Sequence, residues 1–368
     1  MHFICLNPRK AKQATIKKML SPLGTISWLR IARMSFASSK RAHDVANTAL
    51  EMSKDNGQTG LGRALNLWLL RRQYMGSLKH FQTHPTAIAV CWNGLNGTRH
   101  VFMQAAKDAG TKRLFFELAP LPDRITVDPQ GVNFANSLPR TIAPYHAWAA
   151  AHGPVDWRAT TRTIKQRAAT NTPPSNANCP ALSEKFIFVP LQTPGDSQLR
   201  LFGGAFQTVD AFVETLIDAS RNLPKGWHIR LKDHPTANST VAGLLAQSHD
   251  APIYLDNDTD TFAQVKASQA VMTVNSSVGL EAMFHEKPVV ACGQCFWAID
   301  GVATSAQTPE AIATLFKSPA DIGYDAAARG AFLGFITQVY YPKCDTGAAL
   351  ICARLSGKDA LGFWGMQS

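Results

Sequence analysis

Long apolar runs are missing from this chain. None approaches the ~18 consecutive residues that a membrane-crossing helix requires, so no integral membrane protein is expected. Met1–Leu6 is too short for the apolar core of a signal peptide and no small-residue cleavage site follows it, which argues against conventional secretion and for a cytoplasmic protein. Cysteine is sparse: seven thiols, scattered and odd in number, exclude a disulfide framework and suit a reducing compartment. The Cys292-Gly-Gln-Cys295 pair has the spacing of a redox or zinc motif. It lacks both a thioredoxin-like context and a second ligand pair, so structural thiols are expected. Walker A, G-x-S-x-G and a complete H-E-x-x-H are absent, and no Asp-x-Asp metal clasp stands where a nucleotide-sugar enzyme would need one. Asp256-Asn-Asp258 is the nearest approach to such a clasp and reads as a loop. No metal and no cofactor are expected.

Acid is scarce at one end only. Residues 1–80 hold 14 Lys+Arg against 3 Asp+Glu, whereas the remaining 288 residues hold 23 of each sign, so the whole net charge of +11 sits in the first fifth. Such asymmetry points to an anionic partner or to a solvated basic face. Arg30, Arg33, Lys40, Arg41, Arg63, Arg71 and Arg72 alternate with Trp28, Leu29, Trp68, Leu69 and Leu70. That mixture suits a segment that packs on one side and offers the other to anionic lipid at the inner membrane surface. No nucleic-acid recognition motif accompanies the charge, so nucleic acid is not an expected partner.

What remains is an ordinary globular balance, 45% hydrophobic and 17% charged, with length for about two domains. The first reads as βαβ: a buried-strand run Thr86–Trp92, a turn cluster Asn93–Gly97, a helix capped by Thr98 and ended by Gly110, then the strand Leu114–Phe116. Residues 167–184, rich in Asn, Thr and Pro, read as a linker. A second α/β unit follows, with strands at Phe186–Val189, Trp227–Leu231, Ala270–Val274 and Pro288–Ala291 separated by helices at 208–222, 259–268 and 278–284. The expected organisation is an N-terminal Rossmann-like domain over 1–180, a second over 181–320, and C-terminal helices over 321–368 packing back on the first domain. Two Rossmann-like α/β domains would face a cleft, with ligands at the carboxyl ends of their strands.

Three loops carry candidate chemistry. Val274-Asn-Ser-Ser-Val-Gly-Leu-Glu-Ala282 runs from a strand end through two serines into a helix, so backbone N–H groups, hydroxyls and the helix dipole converge where an anion would sit. Glu281, one turn on, could accept from a ribose diol; equally, Ser276 could merely cap the helix and Glu281 face solvent. Lys232-Asp-His-Pro235 also follows a strand, and its Lys and His could meet a phosphate. Together the two loops describe a nucleotide-phosphate pocket. The third segment, Glu117–Ser137, places Glu117 at a strand end and Asp128 after the short strand Ile125-Thr-Val127. Two carboxylates at the rim of one domain could supply a nucleophile and a proton-transfer group. Asp128 could instead be an Asx-turn residue opening Asp-Pro-Gln-Gly131.

Taken in order, the blocks Ala87–Gly97, Phe116–Arg140, Val189–Gln198, Lys232–Pro235, Asn275–Ala282 and Lys287–Trp297 resemble the bacterial capsule-polysaccharide biosynthesis proteins that add β-linked Kdo, the KpsS and KpsC type. The likeness spans roughly residues 85–300; residues 1–80 match nothing nameable. It implies a GT-B-like glycosyltransferase fold, CMP-Kdo as donor, a glycan or lipid-linked acceptor, and retention of configuration through a covalent sugar–enzyme adduct. It further implies that Gln192, Lys232, His234, Pro235, Ser276, Ser277 and Glu281 hold CMP-Kdo. Asp128 is then the nucleophile with Glu117 beside it, Asp123 and Glu117 being the alternative attackers. Arg99, Arg124 or Arg140 would meet the Kdo carboxylate, and Asn93, Asn96 and Asn133 would serve the acceptor. In one respect the chain departs from the pattern: KpsC-type proteins often have Glu-Asp-Gly where Glu117-Leu-Ala119 stands, which leaves the role of that extra acid unfilled. Competing expectations are a sialyltransferase-like or other CMP/CDP-sugar transferase, and a glycan-binding subunit without turnover.

Overall fold

A computed structural model describes residues 1–53, 59–153, 155–163, 179–237, 241–248, 250–345 and 347–356. By contacts the chain divides into two units: Met1–Leu138 together with the chain from Ile336 onward, and Pro139–Phe335. The sequence reading set the first boundary at 180 and the last at 320. The contacts instead give 139–180 to the second unit, and hand the chain back to the first unit at 336. Most of the expected linker, 167–178, lies outside the described residues.

Five strands build the first unit: β1 (His2–Leu6), β2 (Thr25–Leu29), β3 (Ala87–Trp92), β4 (Lys112–Leu118) and β5 (Ile125–Asp128), in spatial order β2-β1-β3-β4-β5. The first four are parallel and β5 runs antiparallel to β4. β3 is buried along its whole length, which is why its sequence is an unbroken apolar run rather than an alternating one. Phe3, Val90, Leu114, Phe116 and Val127 meet Ile16, Met19 and Ile351 in one core cluster. Helix 40–51 and the 23-residue helix Gly60–Gln82 pack with Gly97–Asp108 on the sheet. Thr98 does not cap that last helix. Asn96 occupies the N-cap position without a side-chain cap bond, while the Thr98 hydroxyl donates to Gln73 Oε1 at 2.8 Å.

Residues after 336 belong here because Arg354, a buried side chain on the helix Ala348–Leu355, donates to the carbonyls of Val127 and Tyr340 at 3.2 and 3.0 Å. Arg124 reinforces the join by donating to the carbonyls of Thr337 and Tyr341.

The second unit holds β6 (Lys185–Pro190), β7 (Trp227–Lys232), β8 (Ile253–Leu255), β9 (Ala270–Thr273), β10 (Val289–Ala291) and β11 (Thr304–Ser305), in the order β11-β10-β9-β6-β7-β8 and all parallel. Helix starts follow the local chemistry: Thr208, Asp260 and Ser276 each accept from a first-turn N–H. Two parallel-stranded α/β units are the GT-B-like class expected from the resemblance.

Candidate functional site

In each unit the strand order reverses at one place, and there the loops leaving adjacent strands part to make a crevice at the carboxyl edge. In the second unit this lies between β6 and β9. Gln192, just past β6, and Asn275, just past β9, span it: Gln192 Nε2 donates to Asn275 Oδ1 at 2.9 Å and Asn275 N–H donates back to Gln192 Oε1 at 3.3 Å. The helix Ser277–Phe284 starts from this edge, with the Ser276 hydroxyl accepting from Val278 N–H. Ser277 Oγ donates to Glu281 Oε1 at 3.1 Å, so the candidate ribose acceptor is oriented by the candidate phosphate ligand, and Glu281 is nine-tenths buried rather than a surface residue. Gly279 is required by packing: a Cβ there would lie 2.8 Å from the buried Trp297 ring, which anchors the helix start.

His234 is half-buried after β7, with Pro235 in the same turn. Its Nδ1 accepts from Thr236 N–H at 3.2 Å and lies 2.9 Å from Thr236 Oγ1. A backbone N–H can only donate, so the neutral ring carries its proton on Nε2 and is a donor there. Lys232 does something else. It is buried, and Nζ donates to the carbonyls of Asn257 and Thr259 at 2.6 and 2.7 Å. Burial also lowers its pKa. The expected phosphate ligand is therefore a strut that fixes the 256–259 loop, because those carbonyls need a donor that the strand cannot supply. Asp256 in that loop pairs with Arg230 at 2.9 Å, both side chains being almost fully buried. Cys292 and Cys295 are buried thiols whose pKa burial raises. Among the described residues no cluster of three or more His, Cys, Asp or Glu is arranged to hold a metal ion.

In the first unit, Glu117 stands half-buried at the carboxyl end of β4. Its Oε1 accepts from Trp92 Nε1 at 2.9 Å and from Leu118 N–H at 3.0 Å, and its Oε2 accepts from Asn93 Nδ2 at 2.9 Å. Asn93 is placed for this by a left-handed backbone, φ 67°, with its Oδ1 accepting from Leu95 N–H. Sequence reasoning missed Trp92: its burial as the last residue of a strand hid the indole N–H that aims the carboxylate.

Asp128 corrects the sequence reading most sharply. It is 0% exposed. Its Oδ1 accepts from the N–H groups of Gln130 and Gly131 at 2.8 and 3.1 Å; its Oδ2 accepts from Ser137 N–H at 2.9 Å, Ser137 Oγ at 2.7 Å and Tyr340 OH at 2.9 Å. Five donors on two oxygens leave no lone pair aimed outward, which is the setting of a structural hub. The Asx-turn alternative is the arrangement found. Arg124 is likewise spent on carbonyls of the C-terminal segment and not set aside for a substrate carboxylate. Asp123 is exposed at a left-handed turn position, Asn133 begins a short 3₁₀ turn with φ 54°, and Arg140 belongs to the second unit.

A pocket of about 570 Å³ opens at the carboxyl ends of β1, β2 and β3, lined by Arg9, Lys12, Arg30, Trp92, Thr98 and Arg99 among others. Cys91 also lines it, and burial pushes that thiol up to about 12, so it is no nucleophile.

Against known families, residues 152–341, more than half of the 368, match the capsule polysaccharide biosynthesis protein family. The chain belongs to that family. Among curated proteins this capsule-family member is 28% identical to FixF of Sinorhizobium fredii over 285 residues, covering 75% of this chain and 67% of FixF. It is 26% identical to the Escherichia coli capsule polysaccharide export protein KpsS over 136 residues, a third of either chain. Among solved structures, the β-Kdo 2,7 transferase of Thermosulfurimonas dismutans KpsC superposes with a TM-score of 0.51 at 12% identity, covering 93% of this chain and 92% of that one. The β-Kdo 2,4 transferase of the same KpsC gives 0.50 at 16% identity, covering 90% and 89%. The chain shares the fold of these two transferase structures.

Proposed function

We propose that this capsule-family protein is a retaining Kdo transferase, moving Kdo from CMP-Kdo to a glycan or lipid-linked acceptor during surface-polysaccharide synthesis. The observation that carries the reading is Glu117: a carboxylate at a strand's carboxyl end, oriented by Trp92 and Asn93, in a family whose fold relatives include two β-Kdo transferases. In the second unit, the first-turn backbone N–H groups of the helix Ser277–Phe284 receive the single phosphate of CMP, with His234 donating from Nε2. Glu281 takes the ribose, and Gln192 and Asn275 tie the two crevice loops to each other. Those groups hold the phosphate without a metal. As CMP leaves, positive charge develops at the anomeric carbon and an oriented carboxylate stabilises it and bonds to it. Glu117 replaces Asp128 in that role because it is only half-buried and accepts three hydrogen bonds where Asp128 is fully buried and accepts five. The acceptor hydroxyl, giving up its proton to solvent water, then displaces Glu117 as a free carboxylate, and the second inversion restores the starting configuration.

The reading includes attachment to an anionic membrane surface. No described helix is long and apolar enough to cross a membrane. Yet six of the eight large apolar side chains exposed among the described residues fall between Ile31 and Trp68. Leu61, 90% exposed, Leu65 and Trp68 share one face of the helix Gly60–Gln82, and Phe36, 80% exposed, lies 6.5 Å from Trp68. Arg72 stacks on both rings. An apolar patch with an arginine stacked on two of its rings suits a bilayer headgroup region.

The test is incubation of the full chain with CMP-Kdo and intact-mass measurement, followed by peptide mapping. A Kdo adduct on Glu117, absent from Glu117→Gln, is expected. An adduct mapped to another residue removes Glu117 from the role, and CMP-sialic acid consumed in preference to CMP-Kdo removes the donor assignment.

A further inference from the structure

Lys12 stands where neither its own helix nor an acid accounts for it. The helix Lys10–Leu20 follows β1 and turns Ile16, Met19 and Leu20 into the core. Lys12 lies one turn before Ile16, so it continues that inward stripe as a charged residue, and it is half-buried. It also falls in the first turn of the helix, which holds no acid and where the dipole disfavours a cation. Among the described residues no ion pair involves it. Its Nζ sits instead 4.8 Å from the centroid of the Trp92 ring.

Trp92 shares a core cluster with Ile16 and is 2% exposed, so the ring is fixed. An indole is negative on its faces and positive at its N–H edge. Lys12 meets the face, and the edge meets Glu117, to which Nε1 donates at 2.9 Å. A cation on the face draws π density toward itself and leaves the N–H more positive, so each contact strengthens the other. Burial of the ring limits the screening of both by water. A charge on the helix Lys10–Leu20 therefore acts on the carboxylate through the ring between them.

We propose that Lys12 is a positioning residue for sugar transfer: acting through the Trp92 ring, it makes the indole N–H a stronger donor and so holds Glu117 in its attacking orientation. A carboxylate that bonds to the anomeric carbon must already be aimed when the leaving group departs, and Trp92, Asn93 and the Leu118 N–H do the aiming. The role in transfer rests on the reading of Glu117 given above; the linkage from Lys12 to the Trp92–Glu117 bond does not.

The experiment records the indole N–H signals of the full chain by NMR without substrate, with the Trp92 signal identified by its loss in Trp92→Phe, and follows Kdo transfer from CMP-Kdo in the same variants. Lys12→Met keeps the stem and removes the charge. At an unchanged melting temperature it moves the Trp92 proton upfield, toward a weaker hydrogen bond, and lowers kcat by about three- to tenfold with KM for CMP-Kdo unchanged. Lys12→Arg restores both. In a Glu117→Gln background the upfield displacement shrinks, because the bond that Lys12 strengthens is already weakened. A Trp92 signal that stays at the parent position in Lys12→Met overturns the proposal. So does a displacement equal in both backgrounds, which is a ring effect alone, and so does a kcat equal to the parent's or no rescue by Lys12→Arg. A parent chain that neither transfers Kdo nor forms an adduct on Glu117 strikes the transferase reading, while the indole signals still decide whether Lys12 acts on the Trp92–Glu117 bond.

Discussion

Replacing Asp128 by Asn separates a structural carboxylate from a catalytic one. The substitution keeps the shape and removes one acceptor oxygen. If the new amide nitrogen takes the place of Oδ1, it faces the N–H groups of Gln130 and Gly131, neither of which can turn round. If it takes the place of Oδ2, the hydroxyls of Ser137 and Tyr340 can rotate to accept, but Ser137 N–H cannot. The better orientation therefore still strands one buried N–H and weakens the other bonds by removing the charge, for a loss of about 2–4 kcal/mol. Tyr340→Phe removes one donor and leaves the carboxylate its other four, for about 0.5–1.5 kcal/mol. Urea unfolding of the parent, Asp128→Asn and Tyr340→Phe chains, followed by circular dichroism, measures both. CMP binding, seated in the second unit, survives in each folded variant. An Asp128→Asn chain with an unchanged unfolding midpoint and no sugar transfer would refute the reasoning and restore Asp128 as the nucleophile.

Acid should destabilise the chain in a defined window. Burial lowers the pKa values of His100 and His228 from the usual 6.5 to about 4. The unfolded chain therefore binds protons between those values that the folded chain refuses, and stability falls as pH drops from 6.5 toward 4. From pH 7 to 5 each histidine costs up to about 2 kcal/mol, less for the incompletely buried His100. His228→Phe, which keeps the stack on Phe186, flattens the melting temperature against pH; identical slopes in variant and parent would contradict this. Gly279→Ala drives a methyl into Trp297 and Thr273 and should cost about 1–3 kcal/mol with weakened CMP binding, read by thermal melting and calorimetry. Trp68→Ser with Leu61→Ser should reduce pelleting with phosphatidylglycerol vesicles and leave CMP binding alone; pelleting equal to the parent's would remove the patch from membrane attachment.

The strands of both units were legible because their apolar runs and bounding turns are local signals. Thr86–Trp92 and Phe186–Val189 lie within one residue of β3 and β6 at their starts and ends, apart from the edge residues Lys185 and Pro190. The serine-led helix at 277 was legible for the same reason. What could not be read were choices made at a distance. Lys232 looks like a phosphate ligand until the carbonyls of Asn257 and Thr259 claim it from 25 and 27 residues away. Asp128 has a local turn signature and a nucleophile's neighbours, and the contact that discriminates comes from Tyr340, 212 residues along the chain. The antiparallel β5 was equally hidden, since a four-residue strand carries no mark of direction. The four-cation pocket draws on residues from 9 to 99, so charge counting located the basic segment but not its concavity.

The chain's return to the first unit at Ile336 sets an order of assembly on the ribosome. Pro139–Phe335 is one uninterrupted stretch and can complete its sheet as soon as it has emerged. The earlier-made unit must wait, because Tyr340, Ile351 and Arg354, which close over Asp128 and the end of β5, are synthesised only after that whole stretch. The N-terminal half is thus the later to finish, with its arginine-rich surface and exposed Trp68 already outside the tunnel while its core is open.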